Sequence, residues 1–265
     1  MKFKAKKKFG QNFLIDNNII NKIIEATTNN GVDNIIEVGP GLGALTKYLL
    51  DKNLYAYEID TEAYDYLLKN FPEKSKNILN KDFLEVDIVD DTHKFFGNEP
   101  FNVVSNVPYY ITSPIIFKFL ESDLKNLKTM TFMVQKEVGD RIIAKPNNKQ
   151  YGNLSVICQF FCDIEKVTNV SRNCFRPAPD VDSIVIKMTM NKKFDVKDVK
   201  NLQKFVRGCF AMKRKTLYNN LRSFGIQQEK IKDMFAALNI NPQIRGEQLE
   251  LDYFWKIYRF FYENN

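Results

Sequence analysis

Glu37-Val-Gly-Pro-Gly-Leu-Gly43 is the stretch on which the reading of this chain turns. It closes a β-rich run over 34–39 and opens a helical pattern over 42–52. Three glycines in five residues let the backbone pass close to a ligand at the carboxyl end of a strand, where open α/β sheets bind theirs. A turn that needs glycine for shape alone is the plainer reading. Outward from the loop, strand patterns at 54–60, 77–82, 101–107 and 128–134 alternate with helical patterns at 62–70 and 113–121. That alternation is the signature of a mostly parallel sheet covered on both faces. A helix over 154–161 and strands over 165–170 and 181–190 flank the Pro-rich Arg176-Pro-Ala-Pro-Asp180, which predicts an antiparallel edge to the sheet. Beyond Asn191 only helical patterns remain, at 196–210, 215–224, 228–238 and 251–262. The expected organisation is therefore a Rossmann-like α/β domain over 1–190 and a small all-α domain over 191–265.

Acids follow the successive strands. Glu37 lies two residues before the first glycine, Glu58 ends the second strand and Asp82 ends the third beside Phe83. As a bare pattern, Gly39-x-Gly41-x-x-Ala44 with Glu58 about 20 residues on also fits the dinucleotide fingerprint. A pyrophosphate, however, wants backbone donors at a helix N-terminus, and Pro40 removes one of them. Carboxylates suit a neutral adenosine better, with Glu58 accepting the ribose hydroxyls and Asp82 the adenine amine. S-adenosylmethionine is the expected cofactor, on a site that includes Gly39 and Gly41.

Ser105-Asn-Val-Pro-Tyr109 follows the fourth strand. The lone pair of an adenine amine is delocalised into the ring, so the amine is a poor nucleophile. The Asn106 side-chain oxygen and the backbone carbonyl of Val107 or Pro108 can accept its two N–H groups and draw the nitrogen toward tetrahedral geometry. Pro108 stiffens the loop, and Tyr109 is placed to stack on a base that has left its helix. Methyl transfer to adenine is the chemistry these residue types serve.

Composition narrows the partners. The chain has 265 residues, 44% hydrophobic and 27% charged, near the average for globular chains. No apolar run reaches the ~18 residues of a membrane span, and the N-terminus lacks the pattern of a secretory signal. Four cysteines and a single histidine argue against a disulfide framework and a histidine-based metal centre; Cys158 and Cys162, four apart, read as core residues of one helix face. A cytoplasmic, monomeric, metal-free protein is expected. The net charge is +7. Residues 191–265 carry 15 Lys and Arg against 8 Asp and Glu, and residues 1–8 carry five lysines, so the middle of the chain is mildly acidic. Two basic ends favour a polyanion such as nucleic acid.

Together these motifs resemble the small-subunit ribosomal RNA adenine dimethyltransferases, the KsgA family, whose nearest relatives are the large-subunit methylases of macrolide resistance. The resemblance runs nearly end to end. Besides the glycine loop and Asn106-Val-Pro-Tyr109 it takes in Lys8-Phe-Gly-Gln-Asn-Phe-Leu14, Gln135-Lys-Glu-Val138 with Arg141, and Tyr151-Gly-Asn-Leu-Ser-Val156. It also covers Phe175-x-Pro-x-Pro-x-Val-Asp-Ser183 and Lys213-Arg-Lys-Thr-Leu217. It implies cofactor contacts at Asn12, Leu14, Gly39, Glu58, Asp82 and Asn106, and base-stacking aromatics at Tyr109 and Phe175. Tyr110 departs from the family, which usually has Asn or His there. The implied reaction is N6,N6-dimethylation of two adjacent adenines in the 3′-terminal hairpin loop of small-subunit rRNA, in the course of subunit maturation. Lys213, Arg214 and Lys215 are the expected RNA contacts, held on a helix flanked by Phe210 and Leu217. Plainer readings stand beside these: Phe175 as a core plug between prolines, Lys213–Lys215 as a solvated helix start. The alternatives for function are a large-subunit rRNA adenine methylase and a non-catalytic assembly or transcription factor on the same fold.

Overall fold

The computed structural model describes residues 12–191 and 193–263. The basic segment of residues 1–8 and the residues 9–11 that follow it lie outside the described residues.

By contacts the chain forms two units, residues 1–139 with 163–190, and residues 140–162 with 191–265. The expected single boundary at 190/191 is thus one of three crossings. Residues 140–162 belong with the helical unit, because their partners lie there: the Tyr151 hydroxyl donates to the Leu249 carbonyl at 3.0 Å, and Phe160 packs on Phe194 and Trp255.

The first unit begins with β1 (Phe13–Leu14) and α1 (Asn17–Thr28), then β2 (Asn34–Val38), β3 (Asn53–Tyr57), α2 (Thr61–Asn70), β4 (Ile78–Leu79) and α3 (Ile88–Phe96). It continues through β5 (Phe101–Ser105), α4 (Tyr109–Glu121), β6 (Leu127–Gln135) and the start of α5 (Lys136–Ile143). The second unit takes in α6 (Asn153–Phe161), after which the chain returns to the sheet with β7 (Cys162–Val170), β8 (Phe175–Arg176) and β9 (Ser183–Met190). Four helices close the chain: α7 (Val199–Cys209), α8 (Leu217–Ser223), α9 (Gln228–Ala237) and α10 (Leu251–Tyr262).

The main sheet runs β4-β3-β2-β5-β6-β9-β7. The first five strands are parallel, and β9 is antiparallel to β6. The antiparallel strand is second from the edge, with β7 outside it. β5 is buried along its whole length, as a strand covered on both faces must be. Strand order reverses between β2 and β5, and the crevice beyond their carboxyl ends is the place where such sheets bind ligands.

Several local expectations are corrected. The helix expected over 42–52 is a series of turns with one 3-10 turn, Thr46–Tyr48. Gly39, Gly41 and Gly43 all have positive φ, so helical geometry starts late, and too few residues remain before Lys52 to repay helix nucleation. Leu45 and Leu49 are still buried on one side. The strand expected over 77–82 shrinks to Ile78–Leu79, because the chain turns at Lys81 and Asp82 caps a following turn through the Leu84 N–H at 2.8 Å. α6 ends at Phe161, so Cys162 opens β7 instead of sharing a helix face with Cys158; both are buried, and burial pushes the Cys158 thiol up to about 12. α1 was unforeseen, yet its signals are ordinary. Asp16 caps it through the N–H groups of Asn18 and Ile19, and Ile19, Ile20 and Ile23 bury one face, each worth roughly 1.5–3 kcal/mol. No helix among the described residues is long and apolar enough to cross a membrane.

Candidate functional site

A cavity of about 610 Å³ opens at the carboxyl ends of the parallel strands. It brings together Asn12, Leu14, Gly39, Gly41, Glu58, Asn106, Pro108 and Phe175. Asp82 is not among its lining residues, and its carboxylate serves the cap on Leu84.

The cavity is built by ties between the two loops at the switch point. The Ser105 hydroxyl on β5 donates to the Val38 carbonyl on β2 at 2.9 Å. Gly39, with φ +70°, donates its N–H to the Tyr57 carbonyl at the end of β3. A Cβ on Gly39 would stand 2.6 Å from the Val107 side chain, so only glycine lets the two loops close up. Gly41 donates its N–H to Glu58 Oε2 at 2.8 Å, and Asp60 donates to Glu58 Oε1 at 2.9 Å. Glu58 therefore shapes the glycine loop, and its carboxylate keeps lone-pair capacity for a further donor.

Beneath the loop, Glu37 is 1% exposed and accepts a 2.7 Å hydrogen bond from the Thr46 hydroxyl. Burial, with Glu58 nearby, outweighs that bond and pushes the Glu37 carboxyl up to about 7. Burial raises Glu58 as well. Two carboxyls with raised affinity for protons line a cavity that a neutral or cationic group with donors would suit, and a pyrophosphate would not.

The loop after β5 supplies a second pair of acceptors. Asn106 is half-buried, and its side-chain amide has no hydrogen-bond partner among the described residues. The Pro108 carbonyl already accepts from the Ile111 N–H at 3.2 Å and the Thr112 hydroxyl at 3.4 Å, as the first turn of α4. The Val107 carbonyl has no such partner. Of the two carbonyls left open by the sequence, Val107 is the one at liberty. Tyr109 opens α4, and its side chain lies outside the described residues.

Phe175 is 1% exposed and belongs to a core with Leu14, Ile20 and Val170; β1 pairs with β8 so that Leu14 faces it in register. Its ring is a core element that also lines the cavity. Sequence reasoning missed Thr46, and it missed Phe71, whose ring a Cβ on Gly43 would meet at 2.3 Å. No local signal marks either. Tyr110 lines the cavity and is 65% exposed.

In the helical unit, Lys213, Arg214 and Lys215 are all exposed and lie on the turn before α8, not on the helix expected for them, because α8 starts only at Leu217 behind the Thr216 cap. They are not equivalent, because Lys213 Nζ donates to the Lys149 carbonyl at 2.8 Å. Among the described residues, no group of three or more His, Cys, Asp or Glu is arranged to hold a metal ion.

The profile of the family described as "Ribosomal RNA adenine dimethylase" matches residues 2–262. A "Ribosomal RNA small subunit methyltransferase A" of Aster yellows witches'-broom phytoplasma is 46% identical over 95% of this chain and 94% of its own. The protein of the same name from Mycoplasmopsis pulmonis is 42% identical over 96% and 98%. Among solved structures, a dimethyladenosine transferase from Plasmodium falciparum superposes with a TM-score of 0.81 at 25% identity, covering 95% of this chain and 98% of that one. The 23S rRNA methyltransferase ErmE shares the fold with a TM-score of 0.68 at 24% identity, over 94% and 99%.

Proposed function

The chain belongs to the ribosomal RNA adenine dimethylase family, and on that premise we propose that it methylates the N6 amine of adenines in small-subunit ribosomal RNA. S-adenosylmethionine, when bound, supplies an electrophilic methyl group. The cavity fits it: a glycine cradle that a Cβ would fill, with the Glu58 carboxylate and the Asn106 amide as acceptors on its wall. Asn12, Leu14, Gly39, Gly41, Glu58 and Asn106 are the residues that would hold it, with Glu58 on the ribose and Asp82 reaching the adenine amine from the neighbouring turn.

The observation that carries the reading is the Asn106 amide beside the Val107 carbonyl on the cavity wall, both without a hydrogen-bond partner among the described residues. Acceptors held in place without donors are open to a ligand, and an exocyclic amine with two N–H groups supplies two donors. Holding both N–H groups turns the amine out of conjugation and leaves its lone pair available. After a first methyl only one N–H remains to be held, so the same acceptors serve a second transfer. Pro108 fixes the spacing of the pair. Tyr109 and Phe175 are the aromatics that would stack on the unpaired base. No side chain is needed as a general base, since the alkylated amine is acidic enough to lose its proton to water.

The substrate is two adjacent adenines of the 3′-terminal hairpin loop, each methylated twice. The sheet unit carries the transfer, and the basic helical unit holds the RNA. The test is incubation with tritiated S-adenosylmethionine and isolated small subunits, large subunits or naked rRNA, followed by nucleoside digestion. Label in N6,N6-dimethyladenosine from small subunits is expected. Label in large-subunit adenine, or none in any, overturns the reading.

A further inference from the structure

The helical unit has an open, shallow cavity of about 330 Å³, lined by Met212, Lys215, Asn219, Arg222 and Ser223. All of its polar walls can donate hydrogen bonds, and none is acidic. Asn219, Arg222 and Ser223 fall three and four residues apart on α8, so they share one face of the helix. Lys215 comes from the preceding turn, and that turn is held rigidly. Buried Asn220 accepts from the Met212 N–H at 2.7 Å and donates to the Met212 carbonyl at 3.2 Å and the Thr216 carbonyl at 3.3 Å. Lys215 closes the turn through its own N–H to the Met212 carbonyl at 2.9 Å.

The charged heads of Lys215 and Arg222 have no ion-pair or hydrogen-bond partner among the described residues, and neither does the Ser223 hydroxyl. Asn219 spends one amide N–H on Thr216 at 3.0 Å and keeps the other. Two cations left unpaired across one cavity repel each other unless an anion sits between them. Arg presents a planar fork suited to phosphate oxygens, and Lys a point charge.

We infer that Lys215 and Arg222 clamp one phosphodiester of the substrate RNA in this cavity, with Asn219 and Ser223 donating to it and Met212 lying against the adjoining sugar. The assignment rests on the proposed RNA substrate. It divides the basic run: Lys215 works with a residue seven positions along the chain, while Lys213 is tied back to Lys149.

The experiment measures binding of the full chain to small ribosomal subunits across a salt series, for wild type, Lys215→Gln, Arg222→Gln, the double variant, Arg222→Lys and Lys213→Gln. Calorimetric affinity for S-adenosylmethionine checks that each variant is folded. The double variant should flatten the log–log salt slope by about 0.7–0.9, the share of a single phosphate. Between about 50 and about 200 mM salt its handicap should then shrink roughly threefold. Arg222→Lys should keep most of the slope, and Lys213→Gln nearly all of it. The clamp is overturned if the double variant keeps the wild-type slope, or if the two single losses sum to two phosphates. A wild-type chain that binds subunits but leaves them unmethylated defeats the proposed reaction and leaves the clamp standing. One that methylates normally beside an unchanged double variant defeats the clamp alone, and one that binds no subunit defeats both.

Discussion

Two cavities of this protein, one in each unit, are built on opposite electrostatic plans. In the sheet unit, the polar groups bind one another: Glu58 is held by Gly41 and Asp60, Glu37 by Thr46, and Ser105 by Val38. On its cavity wall, the Asn106 amide and the Val107 carbonyl are acceptors without a hydrogen-bond partner among the described residues. In the helical unit the cavity is lined by exposed cations, Lys215 and Arg222, whose charged heads have no partner among the described residues, over a stapled turn. The first arrangement discriminates by geometry, because a positioned acceptor rewards only a donor in the right place. The second attracts by charge and carries no sequence information, which suits a group that positions RNA.

This contrast can be broken at four points. The largest effect is expected at the unpaired amide. Asn106→Ala should lower the single-turnover methyl-transfer rate by several orders of magnitude at saturating cofactor and RNA. A rate within about tenfold of wild type would remove Asn106 from the chemistry.

Next comes the buried carboxyl under the glycine loop. Glu37 binds its proton more tightly in the folded chain than in the unfolded one, since burial raises its pKa from 4.5 to about 7. Between those values the native state holds more protons, so this group's contribution to stability falls as pH rises and is lost above about 7. Glu37→Gln keeps an acceptor for Thr46 and removes the cost of ionisation. It should raise stability at pH 8 by up to about 3 kcal/mol, leave it little changed near pH 4.5, and flatten the profile between. Denaturant melts across that range would show an unchanged slope if Glu37 is not the titrating group.

Glu58 is the third point. Glu58→Ala should cost roughly 1–3 kcal/mol of cofactor affinity, because it leaves the Gly41 and Asp60 N–H groups unpaired as well as the ligand. Calorimetry that finds full affinity would transfer the cofactor contact elsewhere, with Asp82 the first candidate.

The smallest effect concerns salt and wild type alone. Between about 50 and about 200 mM, subunit affinity should fall steeply while cofactor affinity stays within about twofold, as the two plans require. A parallel fall of both would mean that the sheet cavity too works by exposed charge.

The parts that sequence reading reached are those whose physics is local. Three glycines with positive φ, a proline after an amide and acids at strand ends declare themselves within a few residues. Hydrophobic period alone predicted the alternating strands and the four closing helices to within a few residues. The same local logic failed between Leu42 and Lys52, where apolar spacing suited a helix but the preceding glycine geometry left too little chain to nucleate one. It also left Pro108 and Val107 equal, because whether a carbonyl is spent depends on the helix that starts beside it.

Residues 12–191 and 193–263, seen in three dimensions, add what no window of sequence contains. By itself the sequence determined the fold class, the glycine loop, the acceptor motif and the surplus of positive charge after Asn191. Tertiary structure decided that Gly39 must be bare to let Val107 in, and that Phe175 packs against Leu14 before it faces any ligand. It placed residues 140–162 with the helices, tied Lys213 to a carbonyl 64 residues away, and set Lys215 and Arg222 in the lining of one cavity. The reason is physical: local backbone preference and hydrophobic period are carried by neighbours in the chain, whereas close packing and the pairing of polar groups are settled between residues that meet only when the chain has folded.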